Sequence, residues 1–246
     1  MRGYQYILLY SIMSWLFISC TGTKRLTKEA YLHGFKDKSA FTNIESFGSQ
    51  DSTKLRIYLI RHAKPDVKKK KICTSAMAQA YVDAYSKVPI IPFDTSLVQF
   101  SLDDEQVIYC SNLRRAEETA NAIFGKVYTI KSDAQFREFE TRIIALSNAY
   151  TLPLIVWQTL SRAAWVLGLN QKGIESYKQA KIRSQQAALR LALLAQEEQT
   201  VVLVAHGMLN RSIAKKLKQQ GWCILQKQGH INIGATVLVK EKDESL

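Results

Sequence analysis

Hydrophobic and polar positions along the chain fall into three textures. A largely apolar run, ILLYSIMSWLFI over 7–18, follows Arg2 and ends at Ser19 and Cys20, after which the chain turns polar (TGTKRLTKEA). A basic start, a short hydrophobic segment and a small residue at the boundary are the layout of an export signal. The run falls short of the roughly 20 apolar residues that a spanning helix needs. From 21 to 54 the chain is rich in Lys, Ser and Thr without a sustained period, which predicts a polar tether carrying at most a short helix over 29–35. At Leu55 short β-rich runs begin to alternate with helical spacing.

Three of those runs share one design. LRIYLI (55–60), QVIYC (106–110) and TVVLVA (200–205) each end abruptly in basic or imidazole side chains. Helical patterns over 115–124, 182–198 and 208–220 fill the gaps. Strands alternating with helices predict an α/β fold, a three-layer α/β/α sandwich with a mostly parallel central sheet. Ligands of such sheets bind beyond the carboxyl ends of the strands, so the three polar clusters are expected to converge. TLPLIVWQTLSRAAWVLGL (151–169) is apolar enough to raise the question of a membrane span, but Gln158 and Arg162 interrupt it and Pro153 stands near its start. An amphipathic helix over the sheet is expected instead, within a lid-like insertion at 150–180. Its Trp157 and Trp165 either shape a pocket or fill the core.

Composition narrows the picture. The chain has 246 residues, 47% hydrophobic and 22% charged, with 4 prolines, which excludes a disordered or collagen-like chain. A formal charge of +13 suggests an anionic partner: nucleic acid, a lipid headgroup or a phosphorylated substrate. No helix-turn-helix, zinc-finger or aromatic-basic signature supports nucleic acid, and that reading is set aside. Cys20, Cys73, Cys110 and Cys223 form no CxxC pair and have no His at zinc-ligand spacing. Cys110 is expected as a buried thiol; Cys73 and Cys223 can pair in an oxidising compartment if the fold brings them together, and are otherwise expected as free thiols. Lys68, Lys69, Lys70 and Lys71 read as a solvated loop that can steer anions. His33 and His230 have no partner pattern.

The polar clusters are RHAKP (61–65), SNLRRAEETA (111–120) and VAHG (204–207). In this order, each after a strand, they resemble the histidine phosphatase superfamily, in its phosphoglycerate-mutase-like branch. The resemblance implies that His62 is a nucleophile forming a phosphohistidine and that Arg61, Arg115 and His206 hold the phosphoryl group. Imidazole is a good nucleophile toward phosphorus, and guanidinium forks match phosphate oxygens, so the residue types suit this chemistry. It further implies a small phosphorylated substrate, no metal or other cofactor, and a general acid in the segment after the second helix. There Phe136-Arg137-Glu138 matches best and selects Glu138, with Glu140 the close competitor.

Two departures stand out: Ala63 replaces the usual glycine, and the GxWEG-like continuation is missing where this chain reads Thr141-Arg142-Ile143-Ile144. The expected reaction is metal-independent phosphomonoester hydrolysis. The alternatives are a phosphomutase of the same family and a catalytically silent phospholigand-binding protein on the same fold. The N-terminal segment resembles a bacterial lipoprotein signal, which implies acylation of Cys20 and a lipid-anchored protein of the cell envelope. The domain reading is a signal at 1–19, a tether at 20–54 and a phosphatase-like domain at 55–246.

Overall fold

A computed structural model describes residues 53–95, 98, 102, 105–228 and 231–242, all within the unit Ile44–Leu246. The export signal, Cys20, the tether apart from its last two residues, the short helix at 29–35, His33 and His230 lie outside the described residues.

The strands are β1 (Lys54–Arg61), β2 (Ile72–Cys73), β3 (Val107–Ser111), β4 (Thr129–Asp133), β5 (Leu152–Pro153), β6 (Thr200–Ala205), β7 (Cys223–Lys227) and β8 (Ala235–Glu241). The helices are α1 (Ser75–Lys87), α2 (Arg114–Phe124), α3 (Leu154–Val166), α4 (Tyr177–Glu198) and α5 (Gly207–Lys218). Six strands form one sheet in the order β4-β3-β6-β1-β8-β7, while β2 and β5 pair apart from it. The β4-β3, β3-β6 and β6-β1 pairs are parallel; β8 runs antiparallel between β1 and β7. The expected mostly parallel sheet is therefore present.

Side-chain alternation divides the core between the two faces. Leu55, Ile57 and Leu59 of β1 join Val201, Leu203 and Ala205 of β6 in one cluster with the inner faces of α4 and α5. The sheet-facing residues of α4 are small (Ala180, Ser184, Ala187, Ala188, Ala195), with Leu191 among them, so the helix axis can approach closely. The helix starts five residues before the apolar spacing suggests, because Ser176 and Gln179 form a reciprocal capping box. On the other face α2, with Ala116, Ala120 and Phe124 buried, packs on β3, β4 and β6. Together these layers form the expected sandwich.

The segment at 151–169 forms α3, and among the described residues no helix is long and apolar enough to cross a membrane. Trp157 and Trp165 are both core residues, so the pocket-shaping reading of them is corrected. Their indole N–H groups donate to the carbonyls of Cys73 at 2.8 Å and Glu175 at 2.6 Å. Cys73, Cys110 and Cys223 are free thiols, and burial pushes that of Cys110 up to about 11. Lys68, Lys69, Lys70 and Lys71 are all exposed.

Candidate active site

Sheet register brings the polar clusters together. Arg61 pairs with Ala205 across the β1–β6 ladder, and the His62 N–H continues it by donating to the Ala205 carbonyl at 2.9 Å. His62 and His206 therefore leave the carboxyl ends of neighbouring parallel strands, with ring centroids 5.1 Å apart. On the other side of β6, β3 delivers Ser111, whose Oγ lies 2.8 Å from His206 Nε2. Arg115 stands in the first turn of α2, immediately after β3. Thus four of the residues singled out in the sequence, Arg61, His62, Arg115 and His206, meet at one end of the sheet.

The orientation of His62 follows from its partners. Nδ1 lies 2.6 Å from the Ala63 carbonyl, which can only accept, so Nδ1 carries the hydrogen and Nε2 keeps its lone pair. Arg115 Nε donates to that Nε2 at 3.2 Å. Burial, then the adjacent charge of Arg115, lower the His62 pKa to about 3, with the Arg61 charge acting the same way against the bond to Ala63. The imidazole is therefore neutral at any ordinary pH. His206, fully buried, is shifted downward as well, by burial first and then by Arg115, His62, Arg61 and Arg183. Its Nδ1 and Arg115 Nη1 have no hydrogen-bond partner among the described residues. Two buried polar atoms left in this way, beside an imidazole and two guanidinium groups, make a pocket suited to a multiply charged oxyanion.

Several residues that the sequence did not single out complete the frame. Thr119 Oγ1 accepts the Ala63 N–H at 2.9 Å and donates to the Arg115 carbonyl, joining the first and second motifs. Asn210 and Asn232 donate to the carbonyls of Ile60 and His62. Tyr85 of α1 lies under Arg115, 5.2 Å from guanidinium carbon to ring centroid, and edge-on to His62. Ala63 does not adopt positive φ, which removes the reason a glycine would be needed there. Gly207 is constrained by space instead: a Cβ at this position would lie 3.3 Å from Arg61 Nε.

Arg115, Tyr85, Glu138 and Met208 line a cleft of about 900 Å³, whose far walls come from α1, α3 and the chain between Arg137 and Asn148. His62, at 2% exposure, contacts Arg115 and does not itself line this cleft, and His206, fully buried, lies next to His62. The Glu138 carboxylate accepts the N–H groups of Met208 and Leu209 in the first turn of α5, each at 3.1 Å, and that of Phe139 at 3.0 Å. Its charge also supports that of Arg115. Glu140 lines the cleft too, but its carboxylate is tied to the Glu175 N–H at 2.7 Å. Cys20 lies outside the described residues, and among these no group of three or more His, Cys, Asp or Glu is arranged to hold a metal ion.

The fold and the convergence of its strand ends define an α/β protein of the phosphoglycerate-mutase-like fold. Among solved structures, the chain is similar to phosphoglycerate mutase from Bacillus anthracis str. Sterne, at 18% identity and a TM-score of 0.51, over 78% of this chain and 90% of that one. The model of the histidine phosphatase superfamily (branch 1) matches residues 97–245, more than half of the sequence, and the chain belongs to that family. The match includes Arg115, Glu138 and His206 and begins after the RHAKP segment, which β1 brings to the same place. Other similar structures are a mycobacterial glucosyl-3-phosphoglycerate phosphatase (20% identity, 76% of this chain and 90% of that one, TM-score 0.43) and a phosphoserine phosphatase from Entamoeba histolytica (17%, 74% and 89%, 0.44). A search of curated proteins finds no match.

Proposed function

We propose that the protein hydrolyses phosphomonoesters through a phosphohistidine on His62. The observation that carries this reading is the tautomer of His62: with Nδ1 tied to the Ala63 carbonyl, Nε2 presents a neutral lone pair beside the Arg115 guanidinium. Binding of a phosphate group turns the Arg115 N–H from His62 Nε2 to a phosphoryl oxygen, freeing the nucleophile while keeping the cation at the reacting centre. Arg61 and the Nδ1 side of His206 complete the cradle, which opposes the charge developing on the phosphoryl oxygens. The ester binds as its monoanion and its proton passes to the Glu138 carboxylate; Nε2 attacks phosphorus, the bond from phosphorus to the ester oxygen breaks, and that oxygen takes this proton from Glu138. Water then attacks the phosphohistidine and gives its proton back to Glu138. The P–N bond breaks, phosphate leaves with that proton, and the His62 imidazole and the Glu138 carboxylate are regenerated.

Cationic side chains supply the charge neutralisation, so turnover of an aryl phosphate is expected to persist in excess chelator. His62→Ala is expected to abolish turnover and the acid-labile phosphoryl adduct detectable on the intact protein by mass spectrometry. Turnover that survives this substitution rejects the mechanism. A phosphomutase is distinguished by phosphate moving to an acceptor alcohol faster than to water. The N-terminal pattern supports a second part of the reading: export, cleavage before Cys20 and anchoring of the protein in the bacterial envelope by acylation of that cysteine. Cys20→Ser is expected to move the protein from the membrane fraction to the soluble one, and a variant still bound to membranes refutes the acyl anchor.

A further inference from the structure

The stretch that carries Glu138 has no secondary structure of its own to hold it. From Arg137 to Ser147 the chain runs without helix or strand, so its carbonyl groups need partners from elsewhere. Ser75 and Asn170 donate to the carbonyls of Leu146 and Arg142, and around Glu138 two arginines on different helices supply the partners. On α4, Arg183 Nη1 donates to the carbonyls of Gln135 at 3.0 Å and Arg137 at 2.7 Å. On α3, Arg162 donates to the carbonyls of Phe139 at 3.3 Å and Glu140 at 2.9 Å, and to the Thr141 hydroxyl. The four carbonyls flank Glu138 on both sides.

Arg183 is itself held firmly. Its Nε and Nη2 form a bidentate pair with the Glu175 carboxylate at 2.8 and 2.7 Å, and its guanidinium carbon lies 5.7 Å from the centroid of the Phe139 ring. The Glu175 main chain closes the circuit, donating its N–H to Glu140 and accepting from the Trp165 indole. Arg162 lines the cleft, where it can also touch a substrate; Arg183 does not.

We infer that Arg183 is a positioning residue for Glu138, fixing the main chain on its amino side so that the carboxyl group stays at the first turn of α5. This rests on the reading of Glu138 as the proton donor. One planar guanidinium bridges two carbonyls with one nitrogen and a carboxylate with the other two, which a lysine ammonium cannot reproduce. Arg183→Lys keeps the positive charge near His206 while removing the fork, so it separates geometry from electrostatics.

The test is the dependence of kcat/KM on the leaving group, because this constant reports formation of the phosphoenzyme. An alkyl phosphate needs its leaving oxygen protonated, whereas a nitrophenyl phosphate scarcely does, and a positioned acid contributes about 10²–10⁴-fold to the former. Arg183→Lys is expected to lower kcat/KM about 10-fold to 100-fold on the alkyl ester and less than about 3-fold on the nitrophenyl ester. Added to Glu138→Gln, it should cause little further loss. Should Arg183→Lys fold poorly, Glu175→Gln loosens the same fork from its other side and should show the same selectivity at smaller size. Equal losses on the two esters from the Arg183 or Glu175 variants, with Glu138→Gln still selective, overturn the positioning role alone. A Glu138→Gln variant without selectivity removes the acid reading, and the positioning role with it.

Discussion

His62, the proposed nucleophile, couples folding to pH. Its folded pKa, about 3, lies below the roughly 6.5 of an unfolded histidine, so between these values the unfolded chain binds more protons than the native one. Stability is therefore fully present above pH 6.5 and is lost as the pH falls toward 3. At pH 5 the loss from this one imidazole is about 2 kcal/mol, and His206 adds a loss of the same sign. Thermal melts at pH 7.5 and 5 should show this drop, and His62→Asn should reduce it, leaving the His206 share; an unchanged pH dependence in the variant contradicts a buried neutral imidazole. Glu138 and Glu140 are separated by their partners in a similarly testable way. Glu138 meets the first turn of α5 and supports the charge of Arg115, while Glu140 serves the chain before α4. On an alkyl phosphate, Glu138→Gln is expected to lower kcat/KM at least about 100-fold and Glu140→Gln less than about 10-fold. Equal small losses refute the assignment of Glu138.

Among the elements, α5 shows how a strand-to-helix junction can serve two charges at once. His206 is the residue before the helix, Gly207 opens it beside Arg61, and the N–H groups of Met208 and Leu209 receive Glu138. A methyl group at 207 would sit 3.3 Å from Arg61 Nε, closer than ordinary contact, so the guanidinium must give way. Gly207→Ala is thus expected to lower kcat/KM about 10-fold, which is about 1.4 kcal/mol, while the melting temperature changes by only a few degrees. A loss of folding without a selective loss of activity would show the contact to be structural. The strands ending in Arg61 and Ala205 were legible from sequence because a buried run that stops abruptly at charged groups marks a strand end. Tyr85, Asn210 and Arg183 were not, because their roles depend on which distant element they face. Apolar spacing identified α3 but not which of its faces meets the cleft, and that face carries Gln158 and Arg162 rather than the tryptophans.

At the scale of the molecule, the basic balance of +13 resolves into different uses. Arg61 and Arg115 surround the candidate nucleophile, Arg162 and Arg183 hold main chain, and Lys68, Lys69, Lys70 and Lys71 stand in solvent. The alternation of strands and helices made the layered fold readable in advance, whereas the order of strands in the sheet depends on long-range pairing that no local pattern records. That order governs how the chain can acquire its structure. β1, the first strand among the described residues, lies between β6 and β8, so its ladders close with partners about 145 and 180 residues further on. Contacts so distant in sequence carry a large loop-closure cost and make folding slow. A nascent chain still lacking β8 has one edge of β1 unpaired, and one lacking β6 has neither the scaffold nor His206. The candidate active site is thus a late product of folding, and no truncated chain ending before the final strands can complete the sheet around it.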